Sequence, residues 1–175
     1  MAFVAIMMSS DSDLPVLEKT VDTLDKLQIP WEAKITSIHR TPGDTTAYVK
    51  DVESRGAAVF ICASGLAAHL AGCVAGLTCK PVIGIPIDVG PLRGADALHS
   101  TVQMPGGVPV ACMSIGSSGA TNAAYLAGQI LAITDKDLAA RILADRESNA
   151  EAVRGKDRNL QLKLKHRRKD GEGWR

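Results

Sequence analysis

The chain has 175 residues, enough for one domain with a real core and too few for two. Hydrophobic residues make up 46 % of it and aromatic ones only 3 %, so the core must be built from Ala, Val, Ile and Leu. With 20 Lys and Arg against 19 Asp and Glu, the net charge of +1 excludes a bulk electrostatic pull toward nucleic acid.

Phe3 to Met8 is a short apolar run suited to a fully buried parallel strand. Ser9-Ser10-Asp11-Ser12-Asp13-Leu14-Pro15 follows, with helix-capping side chains and a proline placed for a first turn. Val16, Thr20, Val21, Leu24 and Leu27 then recur at helical spacing. Trp31 to Thr36 alternates apolar and polar residues and predicts a second, buried strand running into Ser37-Ile38-His39-Arg40-Thr41-Pro42. There Thr41 is placed as an N-cap, and Pro42 opens a helix that carries Tyr48, Val49 and Val52 and ends near Arg55-Gly56.

Ala57 to Cys62 predicts a third strand, and Ser64-Gly65 turns the chain into a helix of small residues from Leu66 to Gly72. Pro81 to Ile87 predicts a fourth strand and Val108 to Met113 a fifth. A Gly-Ser-Ser-Gly turn precedes a helix from Thr121 to Ile133, and a further helix runs from Asp135 to about Arg154. The spacing predicts an α/β fold: a single-domain, three-layer αβα, flavodoxin-like sheet of five parallel strands in the order 2-1-3-4-5, with an extra C-terminal helix. The domain is expected over residues 1–155, followed by a basic C-terminal tail at 156–175, flexible or a helical extension. The run Lys163-Leu164-Lys165-His166-Arg167-Arg168-Lys169 in that tail reads as a solvated segment before it reads as a site for an acidic partner.

Cys62, Cys73, Cys79 and Cys112 show no CxxC pattern and read as reduced core thiols of a cytoplasmic protein. Met1 to Ile6 runs straight into polar residues, unlike a secretory signal, and the apolar stretch from Val59 to Leu77 is interrupted by Ser64 and His69, unlike a membrane span.

Three turns carry the chemistry. They hold Ser10, Ser12 and Asp13; Ser37, His39 and Arg40; and Ser64, Gly65, Leu66 and His69. In a sheet of this order the ends of strands 1, 2 and 3 lie side by side at the carboxyl edge, where such sheets bind ligands. Hydroxyls, backbone N–H groups and Arg40 suit a phosphate, and His39 suits proton transfer near neutral pH. Asp13 would repel a phosphate and instead suits sugar hydroxyls, although Ser and Asp there serve equally as helix caps. His69, on an apolar segment, fits either this site or a satisfied core position. GxGxxG, Walker-type, HExxH and GxSxG patterns are absent, which leaves an acid–base site for a phosphorylated small molecule.

These segments resemble the PurE family, the N5-carboxyaminoimidazole ribonucleotide mutases of purine biosynthesis. The similarity runs from about Val4 to about Asp135. It includes Ser10-Asp11-Ser12-Asp13, His39-Arg40-Thr41-Pro42, Ala67-Ala68-His69-Leu70, Pro81-Val82-Ile83-Gly84-Ile85-Pro86, Val102-Gln103-Met104-Pro105-Gly106-Gly107-Val108-Pro109-Val110 and Ala120-Thr121-Asn122-Ala123-Ala124. The resemblance implies a homo-octamer without metal or organic cofactor, whose substrate is a phosphorylated aminoimidazole ribonucleotide. It implies that Ser10, Ser37 and Arg40 hold the phosphate, Asp13 the ribose hydroxyls, and that His39 is the acid–base residue. The substrate carbamate then loses CO2, which is recaptured at ring carbon C4, with neither membrane nor nucleic acid as partner.

The departures fall around the pocket. Where the family has Gly, this chain has Ser9, Ala63 and Leu66; Ile38 replaces Ala, and Ala71 replaces Pro. Such changes fit neutral drift, a paralogue acting on another azole ribonucleotide, or a nucleotide-binding relative without catalysis.

Overall fold

Alternation along Phe3–Met8 sends Val4, Ile6 and Met8 to one side of a sheet and Ala5 and Met7 to the other, and both sides are buried. The computed structural model describes residues 2–169. Its five parallel strands are β1 (Phe3–Met8), β2 (Trp31–Ile35), β3 (Ala57–Ser64), β4 (Val82–Pro86) and β5 (Ala111–Cys112), in the order β2-β1-β3-β4-β5. The helices are α1 (Leu14–Lys26), α2 (Pro42–Ser54), α3 (Leu70–Ala75), α4 (Ala95–Val102), α5 (Ser117–Leu131) and α6 (Lys136–Lys169). The expected flavodoxin-like order and the extra C-terminal helix are both present.

Two apolar layers sandwich the sheet. Val4, Ile6, Val59, Ile61 and Ile83 meet Leu17 and Leu24 of α1, Ala123 and Ala127 of α5, and Leu138 and Ile142 of α6. On the other face Ala5, Met7, Phe60 and Cys62 meet Tyr48, Val49 and Val52 of α2 and Leu70 and Val74 of α3. Small residues bring these layers close, as the composition requires. A Cβ on Gly84 would stand 2.3 Å from Thr101 Cγ2, so α4 rests directly on the β4 backbone.

Several boundaries differ from the expectation for definite reasons. β2 is an exposed edge strand, not a buried one: Ile35 is 54 % exposed, and only β1 pairs with it. β5 shrinks from six expected residues to Ala111–Cys112, because Pro109 has no N–H for the ladder and Gly106-Gly107 turns the chain just before it. The small-residue helix starts at Leu70, not at Leu66, because Leu66 (φ +54°) and Ala68 (φ +30°) are left-handed and cannot join a right-handed helix. α4 fills the crossover between β4 and β5, where the sequence carries no bounded helical pattern; its N-cap is Gly94, at a left-handed φ of +80°.

α6 continues without a break past the expected end near Arg154 to Lys169, while Asp170 to Arg175 of the predicted tail lie outside the described residues. Of the four cysteines only Cys62 is a core thiol, with burial pushing its pKa up; Cys73 and Cys112 are half-buried and Cys79 is exposed. Among the described residues no helix is long and apolar enough to cross a membrane.

Candidate active site

The strand order reverses between β1 and β3, which opens a crevice beyond their carboxyl ends. A cleft of about 450 Å³ lies there, and all three turns singled out in the sequence line it. Ser10, Ser12 and Asp13 come from the turn after β1, Ser37, His39 and Arg40 from the turn after β2, and Ser64, Gly65 and Leu66 from the end of β3.

The first turn is ordered by a reciprocal cap. Ser10 Oγ accepts the Ser12 N–H at 3.3 Å, and Asp13 Oδ2 accepts the Ser10 N–H at 3.2 Å. Ser12 Oγ donates to Ser10 Oγ at 2.9 Å, which gathers both hydroxyls at the mouth of α1. Capping and ligand binding were alternatives in the sequence; here the same residues cap the turn and line the cleft. Asp13 is 3 % exposed, and burial raises its pKa above the usual carboxylate value, opposed by the Ser10 and Ser9 backbone hydrogen bonds.

The second turn is held by its own backbone and hydroxyls. Thr41 N–H donates to Ser37 O at 2.7 Å, and Arg40 N–H donates to Ser37 Oγ at 3.3 Å. Thr41 precedes α2 as expected but does not cap it with its side chain; its Oγ1 accepts the Ser37 N–H at 3.1 Å instead. Arg40 is exposed and has no carboxylate partner among the described residues, so its guanidinium is available to an anion. Ile38 does not fill this cleft. It packs against the layer beneath α2 and α3 and borders a smaller recess of about 290 Å³, which also reaches His39, His69 and Met104.

His69 is exposed rather than buried in the core; it does not line the cleft itself but borders the neighbouring recess and touches His39 from there. Its Nδ1 lies 2.7 Å from His39 Nε2, with the rings edge-to-face at 71° and centroids 4.9 Å apart. One nitrogen of this pair must donate and the other accept, so the tautomers of the two rings are linked. Ser64 is the remaining predicted residue; it is 8 % exposed, and Ser9 Oγ donates to its Oγ at 2.8 Å, tying the ends of β1 and β3. Neither the His39–His69 bond nor the contribution of Val89 was foreseen. Val89 follows β4, whose carboxyl end faces the same edge, and its Cγ2 would lie 2.2 Å from a Cβ on Gly65. The position of Asp88-Val89-Gly90 directly after an apolar strand was the signal that could have pointed to it.

The model of the AIR carboxylase family matches residues 3–152. The chain belongs to the AIR carboxylase family. Curated relatives named N5-carboxyaminoimidazole ribonucleotide mutase include one from Bacillus subtilis, 47 % identical over 150 residues, which cover 86 % of this chain and 93 % of the relative. Another, from Mycobacterium tuberculosis, is 46 % identical over 158 residues, 90 % of each chain. The crystal structure of Treponema denticola PurE superposes with a TM-score of 0.83 at 30 % identity, covering 91 % of this chain and 99 % of that one. Membership of the AIR carboxylase family thus agrees with the resemblance seen in the short motifs, and it spans the whole sheet and the first half of α6.

Proposed function

We propose that the protein interconverts N5-carboxyaminoimidazole ribonucleotide and 4-carboxyaminoimidazole ribonucleotide in purine biosynthesis, by decarboxylation and CO2 recapture with His39 as the acid–base residue. The observation that carries this reading is the convergence of Ser10, Ser37, Arg40 and His39 on one cleft at the carboxyl edge of the sheet. The names of the relatives supply the substrate.

Ser10, Ser12, Ser37 and Arg40 hold the phosphate through hydroxyls and a guanidinium. Asp13, already fixed by the Ser10 N–H, accepts ribose hydroxyls with its remaining lone pairs. Ser64, Gly65 and Leu66 border the aminoimidazole, with His39 and His69 beside it. The carbamate N–C bond breaks, its electron pair returns to nitrogen, and nitrogen takes up a proton as CO2 departs. Ring carbon C4 then attacks the same CO2, and His39 removes the C4 proton to restore aromaticity. One proton is taken up and one released, so the reaction is an isomerisation that needs no metal or organic cofactor. Confinement of CO2 beside C4 replaces a bimolecular capture by a local one.

A homo-octamer working in the cytoplasm belongs to the same reading, as the resemblance to the family implies. Mass in solution tests the assembly, and a monomer contradicts it. The function is tested by incubating purified protein with N5-carboxyaminoimidazole ribonucleotide and following the 4-carboxy isomer. Conversion is expected; bound ligand without turnover at high enzyme concentration overturns the reading.

A further inference from the structure

Two bonds from Ser9 join the carboxyl ends of β1 and β3. Its N–H donates to Ala63 O at 3.3 Å, and its Oγ donates to Ser64 Oγ at 2.8 Å. Both side chains line the cleft, and Ser64 is 8 % exposed, so its hydroxyl is held in one place. Each hydroxyl has one proton to give, and two hydroxyls that share one hydrogen bond leave a proton over. Here the spare proton is that of Ser64, and among the described residues no group accepts it. A nearly buried donor without an acceptor, set in the wall of a cleft, calls for an acceptor on the ligand. Ser9 stands where the family has Gly, so this hydroxyl pair is an addition to the site the family shares.

The rest of the lining indicates which acceptor. Ser10, Ser12, Ser37 and Arg40 lie on the turns after β1 and β2 and suit the phosphate, and Arg40 is the one Lys or Arg in the lining. Asp13 accepts hydrogen bonds and, while ionised, offers none to an anion. On the β3 side Leu66 and Ala67 carry no polar side-chain atom, which leaves Ser64 as the hydroxyl of that side. The ligand of the proposed function carries a second anion, its carboxyl group, at the azole end. With the guanidinium committed to the phosphate, that carboxyl group falls to neutral donors, and Ser64 O–H is one that is fixed and unspent.

We propose that Ser64 is a carboxyl-binding residue, whose O–H donates to the carboxyl group at the azole end of the ligand, and that Ser9 is its positioning residue, occupying the Ser64 oxygen so that the Ser64 proton turns toward the ligand. This rests on the function proposed above and adds to it the group that tells a carboxylated ribonucleotide from its decarboxylated counterpart.

The test measures dissociation constants of the full chain for 4-carboxyaminoimidazole ribonucleotide and for aminoimidazole ribonucleotide, which lacks the carboxyl group, alongside turnover. Ser64→Ala is expected to weaken the carboxylated ligand about 10- to 100-fold and to leave the decarboxylated one within about twofold. Ser64→Thr keeps the hydroxyl and is expected to restore most of the preference. Ser9→Ala keeps the backbone bond to Ala63 and is expected to weaken the carboxylated ligand by a smaller factor, with no further loss when combined with Ser64→Ala. It leaves the end of β3 untouched, so it carries the test should Ser64→Ala fail to fold. Equal loss for both ligands in Ser64→Ala overturns the inference, because a merely structural role gives that result. An unchanged preference in Ser64→Ala beside normal wild-type turnover overturns it too, and in both cases the proposed function stands. Additive losses in the double variant overturn the role of Ser9. Absence of turnover in wild type overturns the proposed function and this inference with it.

Discussion

His39 Nε2 faces His69 Nδ1 at 2.7 Å, although the two residues lie 30 positions apart and on turns that follow different strands. The contact exists because β1 separates β2 from β3 by one strand width on each side, and both turns lean over its carboxyl end. His69 thereby couples its own tautomer to that of His39, the kind of second contact that bears on the role of an acid–base imidazole.

His39→Asn is therefore expected to lower kcat by about 100- to 10,000-fold while ligand affinity stays within a few-fold. His69→Asn keeps a polar contact but loses the linked tautomer. Its kcat falls less, and the pH profile of kcat/KM changes shape. Steady-state kinetics across pH, with ligand binding by calorimetry, separate the two; identical profiles for His69→Asn and wild type would show the contact to be idle.

Arg40 offers a charge-assisted hydrogen bond worth about 1.5–3 kcal/mol, or about 10- to 100-fold in affinity. Arg40→Ala is expected to raise KM by that factor, and Arg40→Lys to recover part of it, since lysine keeps the charge but not the planar fork. Loss in kcat alone would move Arg40 from the phosphate to the reacting end.

Burial raises the Asp13 pKa, so its charged form costs the fold stability above that pKa, and the cost fades as pH falls and the carboxyl protonates. Asp13→Asn removes the charge yet still accepts the Ser10 N–H. The variant is expected to match or exceed wild-type stability at neutral pH, with the difference shrinking in acid, and to bind the ribonucleotide about 10- to 100-fold more weakly. Thermal melts at several pH values, paired with ligand titrations, check both halves.

Asp145 on α6 has the opposite sign. The Lys26 ammonium and the Tyr125 hydroxyl hold its carboxyl below the usual range, and Asn149 Nδ2 donates to it at 3.1 Å. Its contribution is thus present above the unfolded value of about 4 and lost as pH falls through the lower folded value. Asp145→Ala is expected to destabilise by about 1.5–3 kcal/mol at neutral pH, with wild type and variant converging in acid. Denaturant unfolding at neutral and acid pH reads this directly.

The parts of the fold legible in the sequence are those where local pattern and burial agree. Phe3–Met8 and the α2 start at Pro42 are written in an apolar run and in a proline fixed at a first turn. The three site turns were legible for the same reason, because capping residues gather where strands become helices. What escaped depended on conformation or on distant partners. Nothing in Leu66-Ala67-Ala68 announces positive φ, since those residues ordinarily favour a right-handed helix. β2 was expected to be buried although the expected order 2-1-3-4-5 already placed it at the sheet edge, so its exposure was legible from the topology and not from its alternating pattern. Ile38 looked like an intruder in the catalytic turn, and only its packing beneath α2 and α3 shows that its bulk goes elsewhere.

α6 spans 34 residues, about 50 Å, and only its first half is anchored, by Leu138, Ile142, Asp145 and the Arg141 Nε–H donated to Leu27 O at 2.9 Å. Beyond it Val153, Leu160 and Leu162 stand 65 %, 51 % and 55 % exposed, with Glu147 and Glu151 paired to Arg154 and Arg158 along the helix. Helix of that length without tertiary support is marginal in water. The distal half should consequently lose its circular-dichroism signal gradually on warming, well ahead of the sharp transition of the sheet. The shape of the melting curve thus reports on assembly: a sloping baseline means a bare helix end, and a single sharp step means that another copy has covered it.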